Sequence, residues 1–263
     1  MDSKILVEQF CTPPFQEEND FDRTAYAGIK ELDIEFENRI LKGYSLGNGK
    51  NILLVHGWGS RASHMSFLAQ YLANNGFHIM VFDGPAHGNS KRKGQKDLSS
   101  MFEFGRAVSC IAKKMDNLYC VIGHSLGAIA TAFTMTGTGH LSGYRFTAEK
   151  LILISSPKNL YRVIENYSRN RDEMYKINEL RQSLENAFNC KASEYNLCSE
   201  LKFLNTDILI IHDEQDEDIP VSDALDLKQS NENIRLILTR GSGHKKILLN
   251  REMLRAVKDF LLK

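Results

Sequence analysis

The chain has 263 residues, and its 33 Lys and Arg residues balance 33 Asp and Glu residues to give a formal net charge of zero at pH 7. Hydrophobic residues make up 42% and charged residues 25%, as in soluble globular proteins with one or two domains. A neutral chain argues against a protein that binds nucleic acid or an anionic membrane through its overall charge. No apolar stretch reaches the roughly 18–20 residues that span a bilayer, and the first residues lack the apolar core of a signal peptide, so we expect a cytoplasmic protein.

Short apolar runs alternate with segments of helical periodicity along most of the chain. The first such region, 32–46, alternates loosely and predicts a β-hairpin at a sheet edge. Further strands are predicted at 52–55, 78–82, 119–122, 151–154, 207–211 and 234–238, and helices at 63–75, 98–115, 126–136, 222–229 and 246–262. This order predicts an α/β fold with a mostly parallel central sheet and helices on both faces.

The alternation stops between residues 158 and 205. This segment contains no Gly and no convincing strand, while charged, Asn and aromatic residues recur at helical spacing. We therefore predict a core formed by residues 1–157 and 206–263, with 158–205 as a helical insertion. Such an insertion is either a pair of surface helices or a lid over a site.

The pentapeptide GHSLG at 123–127 has the pattern G-x-S-x-G and lies directly between a predicted strand and a predicted helix. A turn this sharp forces a strained backbone on the central residue, and its neighbours must be small. Ser125 would then project from the carboxyl edge of the sheet at a helix N-terminus, where developing negative charge is favoured. A glycine-flanked turn with an incidental serine is the alternative, which the flanking strand and helix disfavour.

A serine hydroxyl is a weak nucleophile, so it needs a base that is itself oriented by an acid. The loop after strand 207–211 reads HDEQDEDIP and offers three aspartates, which are Asp213, Asp216 and Asp218. The glycine-rich loop after strand 234–238 carries His244, the only histidine beyond residue 212. We predict that His244 is the base and that one of the three aspartates is the acid.

Backbone N–H donors complete this kind of site, because they stabilise the oxyanion of the tetrahedral intermediate. The sequence His56-Gly57-Trp58-Gly59 follows the first buried strand, and its glycines allow close approach of the main chain. We assign the donors to the N–H groups of Trp58 and of Leu126, the residue after the nucleophile. Trp58 is also expected to form part of the pocket wall, and His56 to be a structural hydrogen-bonding residue.

Together the segments HGWG, FDGPAHGNS, GHSLG, HDEQDEDIP and GSGHKKIL resemble the α/β-hydrolase superfamily over roughly residues 34–262. At 10–13 the sequence FCTP, and at 212–213 His-Asp in place of His-Gly, resemble a bacterial subgroup known only as hydrolases. In the superfamily the acid stands four residues after that histidine, so the resemblance selects Asp216. It also implies that His87 is structural, and that 158–205 forms a cap above the sheet edge that carries Ser125.

The resemblance implies a serine hydrolase that works through an acyl-enzyme, and HGWG is similar to the corresponding segment of some carboxylesterases. We therefore expect cleavage of a small carboxylic ester, with thioesters, aminoacyl amides and carbon–carbon bonds as alternatives. A catalytically inactive ligand-binding protein of the same fold is the alternative from another class. No cofactor and no metal are expected, the partner is a small-molecule acyl substrate, and the oligomeric state is left open. Candidate substrate contacts are Trp58, His124 and Tyr161, and candidate cap residues at the pocket are Tyr161, Tyr167, Met174, Tyr175, Phe188 and Tyr195.

Overall fold

One twisted sheet of eight strands runs through the centre of the molecule, for which a computed structural model describes residues 2–14, 16–90 and 97–263. Its strands are β1 (Lys30–Phe36), β2 (Arg39–Gly47), β3 (Lys50–Val55), β4 (Phe77–Phe82), β5 (Leu118–His124), β6 (Lys150–Ile154), β7 (Asp207–Asp213) and β8 (Arg235–Thr239). They are ordered β1-β2-β4-β3-β5-β6-β7-β8. The β1–β2 and β2–β4 pairs are antiparallel and all the others are parallel, so the sheet is mostly parallel, as predicted.

Helices cover both faces of the sheet. They are α1 (Ser3–Phe10), α2 (Asp20–Thr24), α3 (Ser66–Ala73), α4 (Met101–Ala112), α5 (Leu126–Thr136), α6 (Leu160–Arg169), α7 (Ile177–Phe188), α8 (Leu197–Glu200), α9 (Val221–Ser230), α10 (Gly243–Lys246) and α11 (Arg251–Leu261). Helices α3 and α11 pack in the core on one face, and α4, α5 and α9 pack in the core on the other. Of the helices that the structure describes, none combines the length and the apolar character that crossing a membrane requires.

The burial of each strand explains its sequence pattern. Every residue of β5 and β6 is buried, because helices lie on both sides, and such strands become continuous apolar runs. Strand β1 lies at the edge and is mostly exposed, which matches its loose alternation. The predicted strands and the edge hairpin are therefore confirmed.

Between β6 and β7 lie α6, α7 and α8, within the predicted insertion 158–205. Their apolar side chains, among them Leu160, Ile164, Leu180 and Leu184, join the core on the α4 and α5 face. Helix α1, which the sequence did not predict, packs against α7. The region above the sheet edge is therefore built from two segments that are far apart in sequence.

The predicted last helix, 246–262, is wrong as one continuous element. The chain instead forms the short helix α10, a 3₁₀ turn at Ile247–Leu249, and then α11. Asn250 causes the break, because it leaves the helical conformation and its side chain accepts hydrogen bonds from the N–H groups of Glu252 and Met253. Such side-chain acceptors are typical of a helix N-terminus.

Candidate active site

Ser125 occupies a sharp turn between β5 and α5, with φ 55° and ψ −123°. This conformation is strained for a residue with a side chain, and it makes the hydroxyl project outward from the carboxyl edge of the sheet. The neighbouring chain segments approach so closely that only glycine fits beside the turn. A Cβ at Gly57 would lie 2.9 Å from the Ser125 Cβ, and one at Gly127 would lie 2.3 Å from the His56 carbonyl oxygen.

Two hydrogen bonds connect three predicted residues that are remote in sequence. The Ser125 hydroxyl lies 2.9 Å from His244 Nε2, and His244 Nδ1 lies 2.8 Å from Asp216 Oδ2. The other carboxylate oxygen, Asp216 Oδ1, accepts the main-chain N–H groups of Asp218 at 3.0 Å and Ile219 at 2.8 Å. The carboxylate is therefore fixed from both sides.

The charge state of Asp216 follows from its partners. Burial by itself would raise the pKa of this carboxyl, but the hydrogen bond and charge interaction with His244 and the Ile219 N–H lower the pKa below its ordinary value. Asp216 is thus an anion at neutral pH and favours the tautomer of His244 that carries its proton on Nδ1. Nε2 is then free to accept the proton of the Ser125 hydroxyl.

The other two aspartates of the loop have different partners. Asp213 is buried, and its carboxylate accepts hydrogen bonds from the Thr239 hydroxyl at 2.9 Å and the Ser242 N–H at 3.0 Å. It therefore ties the end of β7 to the loop that carries His244. Asp218 Oδ1 accepts a hydrogen bond from the side-chain amide of Asn170, at the end of α6, at 3.2 Å.

His124 lies beside the site but is not among the residues that line its cavity. The structure therefore does not support the prediction that His124 contacts the substrate. The Nε2–H group of His124 donates to the main-chain carbonyl of His244 at 2.8 Å. Burial lowers the pKa of His124 to about 3, and the ring is therefore neutral. The position suits a residue that holds the His244 loop rather than one that touches a ligand.

Trp58 and Leu126, whose N–H groups are the predicted oxyanion donors, line the same cavity as Ser125. In the described part of the chain, no atom accepts a hydrogen bond from the N–H of Trp58 or of Leu126. The loop that carries Trp58 is held by His87, whose Nε2 accepts the Gly59 N–H at 3.0 Å. His56 Nε2 likewise accepts the Gly84 N–H at 2.8 Å, so both histidines serve the main chain around the site.

A cavity of about 350 Å³ opens above Ser125. This volume lies in the lower part of the range of about 300–1,000 Å³ that small-molecule sites occupy. Trp58 and Leu126 line it together with Ser125, and one side of α6 forms another part of its wall. The segment before the sheet contributes Phe10, Thr12 and Pro14, which sequence periodicity did not identify as wall residues.

Of the six cap residues predicted at the pocket, only Tyr167 lines this cavity. Tyr161 points away and is 42% exposed, and Tyr195 is fully buried among core rings. Helix phase is the reason, because residues that share a face with Leu160 recur three, four and seven positions later. The apolar residues Leu160, Val163 and Ile164, which recur at helical spacing, are the signal in the sequence that would have set this phase.

Comparison with known proteins identifies the family. The family model described as the alpha/beta hydrolase family matches residues 52–259, which is most of the chain. The chain belongs to the alpha/beta hydrolase family. The observed strand order and the position of Ser125 at the carboxyl end of β5 are those of an α/β-hydrolase fold.

Relatives of this alpha/beta hydrolase carry several different names. An acyl transferase of Photobacterium leiognathi is 28% identical over 123 residues, a match that covers 42% of this chain and 40% of that protein, so less than half of that relative is spanned. Solved structures share the fold at low identity. An alpha/beta hydrolase from the metagenome of sediments of the Mar Chica lagoon, Morocco, has a TM-score of 0.61 at 18% identity, covering 88% of this chain and 98% of the other.

Two further solved structures share the fold and have other names. A bromoperoxidase from Bacillus anthracis gives a TM-score of 0.65 at 14% identity, with 89% of this chain and 100% of the other covered. A thioesterase domain from the curacin biosynthetic pathway gives 0.65 at 15% identity, with 90% and 100% covered. Likeness at this level of identity establishes the shared fold, and the chemistry of this alpha/beta hydrolase has to be argued from its own residues.

Proposed function

We propose that this protein is a serine hydrolase that cleaves a small carboxylic ester through an acyl-enzyme. The observation that carries the proposal is the pair of hydrogen bonds from Ser125 to His244 and from His244 to Asp216, at the floor of a cavity. A hydroxyl, an imidazole and a carboxylate in this order are the components of nucleophilic acyl transfer. The carboxylate orients the ring, and the ring accepts the proton.

In the first half of the proposed reaction, the Ser125 hydroxyl proton passes to His244 Nε2 as Oγ bonds to the carbonyl carbon of the ester. The carbonyl oxygen becomes an oxyanion that accepts the N–H groups of Trp58 and Leu126, each such donor being worth about 2.7–4 kcal/mol in related sites. The positive end of the α5 dipole favours the same charge. Collapse of the intermediate breaks the ester bond, and His244 gives its proton to the departing alcohol.

In the second half, water repeats the sequence on the acyl-enzyme. Its proton passes to His244 Nε2 while its oxygen bonds to the acyl carbon, and the bond to Ser125 Oγ then breaks as the proton returns to the serine. Asp216 stabilises the imidazolium formed in both halves. The products are a carboxylic acid and free enzyme.

The choice of a carboxylic ester within this mechanism rests on the small cavity and on the likeness of His56-Gly57-Trp58-Gly59 to some carboxylesterases. Thioesters, aminoacyl amides and carbon–carbon bonds of diketones use the same machinery and remain alternatives. A ligand-binding protein without turnover is the alternative from another class. A panel of p-nitrophenyl esters, thioesters and aminoacyl amides separates all of these.

The nucleophile is tested with a fluorophosphonate probe, which reacts with activated serines. We expect the wild type to be labelled on the peptide that contains Ser125, and Ser125→Ala to lose both the label and hydrolysis. Ser100 lines the same cavity without contacting His244, so Ser100→Ala is a matched control that should keep the label. Labelling that persists in Ser125→Ala would refute the assignment, and a wild type that neither labels nor turns over any substrate would favour the ligand-binding alternative.

A further inference from the structure

A second, smaller space adjoins one wall of the cavity above Ser125. Its volume is about 20 Å³, and residues of α1, α4, α6 and α7 contribute to its lining. The two spaces share four lining residues, which are Phe10, Ser100, Met101 and Leu160. These four residues therefore form a partition between the cavity and the smaller space, which we call the rear space.

The rear space is suited to hydrocarbon. Of the described residues that line it, all except Ser100 and Glu185 are apolar. Both exceptions have hydrogen-bond partners already, because the Ser100 hydroxyl accepts the Glu103 N–H at 3.1 Å and Glu185 Oε1 accepts the Ala192 N–H at 2.9 Å. An alkyl group that enters the rear space therefore gains apolar contacts without depriving either side chain of its partner.

Met101 is the most adaptable residue of the partition. It is buried at the first position of α4. A methionine side chain is unbranched and has three rotatable bonds, so it changes shape more readily than the other apolar side chains. The rear space gives this side chain room to move when a chain end presses on it, and the volume gained holds about one or two water-sized groups.

The two ends of the cavity differ in exposure and polarity. Leu160, the first residue of α6, belongs to the partition and is buried, as is Met101. Asn170 and Arg171, which directly follow the last residue of α6, also line the cavity, and both are exposed. The cavity therefore has a buried apolar end at the partition and a polar end that is open to solvent.

The proposed reaction makes different demands on the two halves of the ester. The alcohol departs and water enters while the acyl group is still bonded to Ser125. The alcohol therefore needs a route to solvent, whereas the acyl chain needs a site that retains it through both halves of the reaction. The open end of the cavity meets the first need, and the buried apolar end meets the second.

We infer that the acyl chain extends from Ser125 toward Met101 and the rear space, and that the alcohol lies toward Arg171. The partition residues Phe10, Met101 and Leu160 then determine the length of the unbranched acyl chain that the enzyme accepts. This inference rests on the proposed hydrolase function and adds its acyl specificity.

The experiment uses two series of esters, each covering chains of about two to twelve carbons. One series varies the acyl chain of p-nitrophenyl esters, and the other varies the alcohol of alkyl acetates. Met101→Ala removes most of a partition side chain and joins the two spaces. We expect the acyl length with the highest kcat/KM to increase by about two to four carbons, with about a fourfold gain for each methylene newly accommodated. The profile of the alcohol series should stay that of the wild type.

Two further variants test whether the gain comes from the rear space. Ala192 lines the rear space but not the cavity, so in the double variant Met101→Ala with Ala192→Leu the new side chain fills the space that Met101→Ala opens. The acyl optimum should return close to that of the wild type. Val163→Ala is the matched control, because Val163 lines the cavity but not the rear space, and it should keep the wild-type acyl optimum.

Met101→Val covers the loss of stability that follows from truncating a buried side chain. It removes less volume than Met101→Ala, and it should move the acyl optimum in the same direction by fewer carbons. Fluorophosphonate labelling of Ser125 in each variant verifies that the site is intact.

The possible outcomes separate this inference from the proposed function. An acyl optimum that does not move in Met101→Ala or Met101→Val, while Ser125 is still labelled, overturns the inference and leaves the hydrolase proposal standing. A shift in the alcohol series instead, or an acyl shift that Ala192→Leu does not reverse, also overturns the inference. Loss of both labelling and hydrolysis in the wild type removes both proposals.

Discussion

At the scale of single residues, two carboxylates of the acidic loop, Asp213 and Asp216, differ in their hydrogen-bond partners although they are only three positions apart. Asp216 accepts a hydrogen bond from the His244 ring, whereas Asp213 accepts bonds from a hydroxyl and from main-chain N–H groups around that ring's loop. One carboxylate therefore controls the tautomer of the proposed base, and the other holds the loop that carries it. Only the first faces a charge that changes during the proposed reaction.

This difference predicts unequal effects of the same chemical change. Asp216→Asn should lower kcat by several orders of magnitude, up to the roughly 10⁴-fold loss known when the aspartate of such a triad becomes asparagine, because the favoured tautomer is reversed. Asp213→Asn should lower kcat by about tenfold or less, since an amide retains one acceptor for the loop. The rates of ester hydrolysis at saturating substrate measure both. A larger loss in Asp213→Asn would mean that the acid has been assigned to the wrong aspartate.

At the scale of elements, the cavity is shaped by α6 and by the chain that follows α1. Each methylene of an acyl chain that enters this space contributes up to about 0.8 kcal/mol of binding, which is about a fourfold gain in kcat/KM, until the space is full. We expect a short acyl chain to fill a cavity of about 350 Å³. The length of the acyl chain that gives the highest kcat/KM therefore indicates the depth of the cavity.

We expect the acyl series of p-nitrophenyl esters to give its highest kcat/KM between about two and six carbons, with a decline beyond the length that the cavity holds. Phe10→Ala is a useful companion variant, because it removes a wall residue that lies outside the cap insertion. It should move the optimum to a longer chain. An optimum at about ten carbons or more in the wild type would show that the cavity continues into a deep channel.

Sequence patterns predicted those strands, helices and turns whose formation is determined by their own residues. Strands such as β6 are recognisable because burial on both faces makes them continuously apolar, and the turn at Ser125 because its glycines are required on both sides. Helix α1 is different, since its buried residue Leu6 is covered by contacts with distant parts of the chain. The side chains of α6 that reach the cavity depend on helix phase, and choosing Asp216 among three aspartates required a family resemblance.

At the scale of the whole molecule, buried histidines link stability to pH. Burial lowers the pKa of His87 to about 4 and that of His124 to about 3, against 6.5 in the unfolded chain. Below pH 6.5 the unfolded state thus binds more protons than the folded state, and stability falls as the pH falls. Asp83 has the opposite effect, because burial raises its pKa from 3.8 to about 6. Between these two pH values the folded state binds one proton more than the unfolded state at this residue.

Burial also lowers the pKa of His56, His64 and His212, and it raises the pKa of Glu103. Five histidines therefore favour proton uptake on unfolding, against two carboxyl groups that oppose it. We expect the free energy of unfolding to fall as the pH falls from about 5.5 to 4.5. Urea titrations at several pH values measure it. In His87→Gln the fall should be weaker by up to about 1.4 kcal/mol per pH unit, since one of these histidines is gone, and a wild-type midpoint that is constant or rises toward acid would contradict the expectation.

The packing of α1 on α7 has a consequence for the order in which the molecule is made. During synthesis α1 leaves the ribosome before β1–β6, and α7 follows them, so the wall around the proposed nucleophile closes only after most of the sheet exists. Asp216 and His244 emerge later still. A nascent chain that has reached Ser125 therefore carries the proposed nucleophile without its proposed base, and we expect the serine to become reactive only after His244 has emerged.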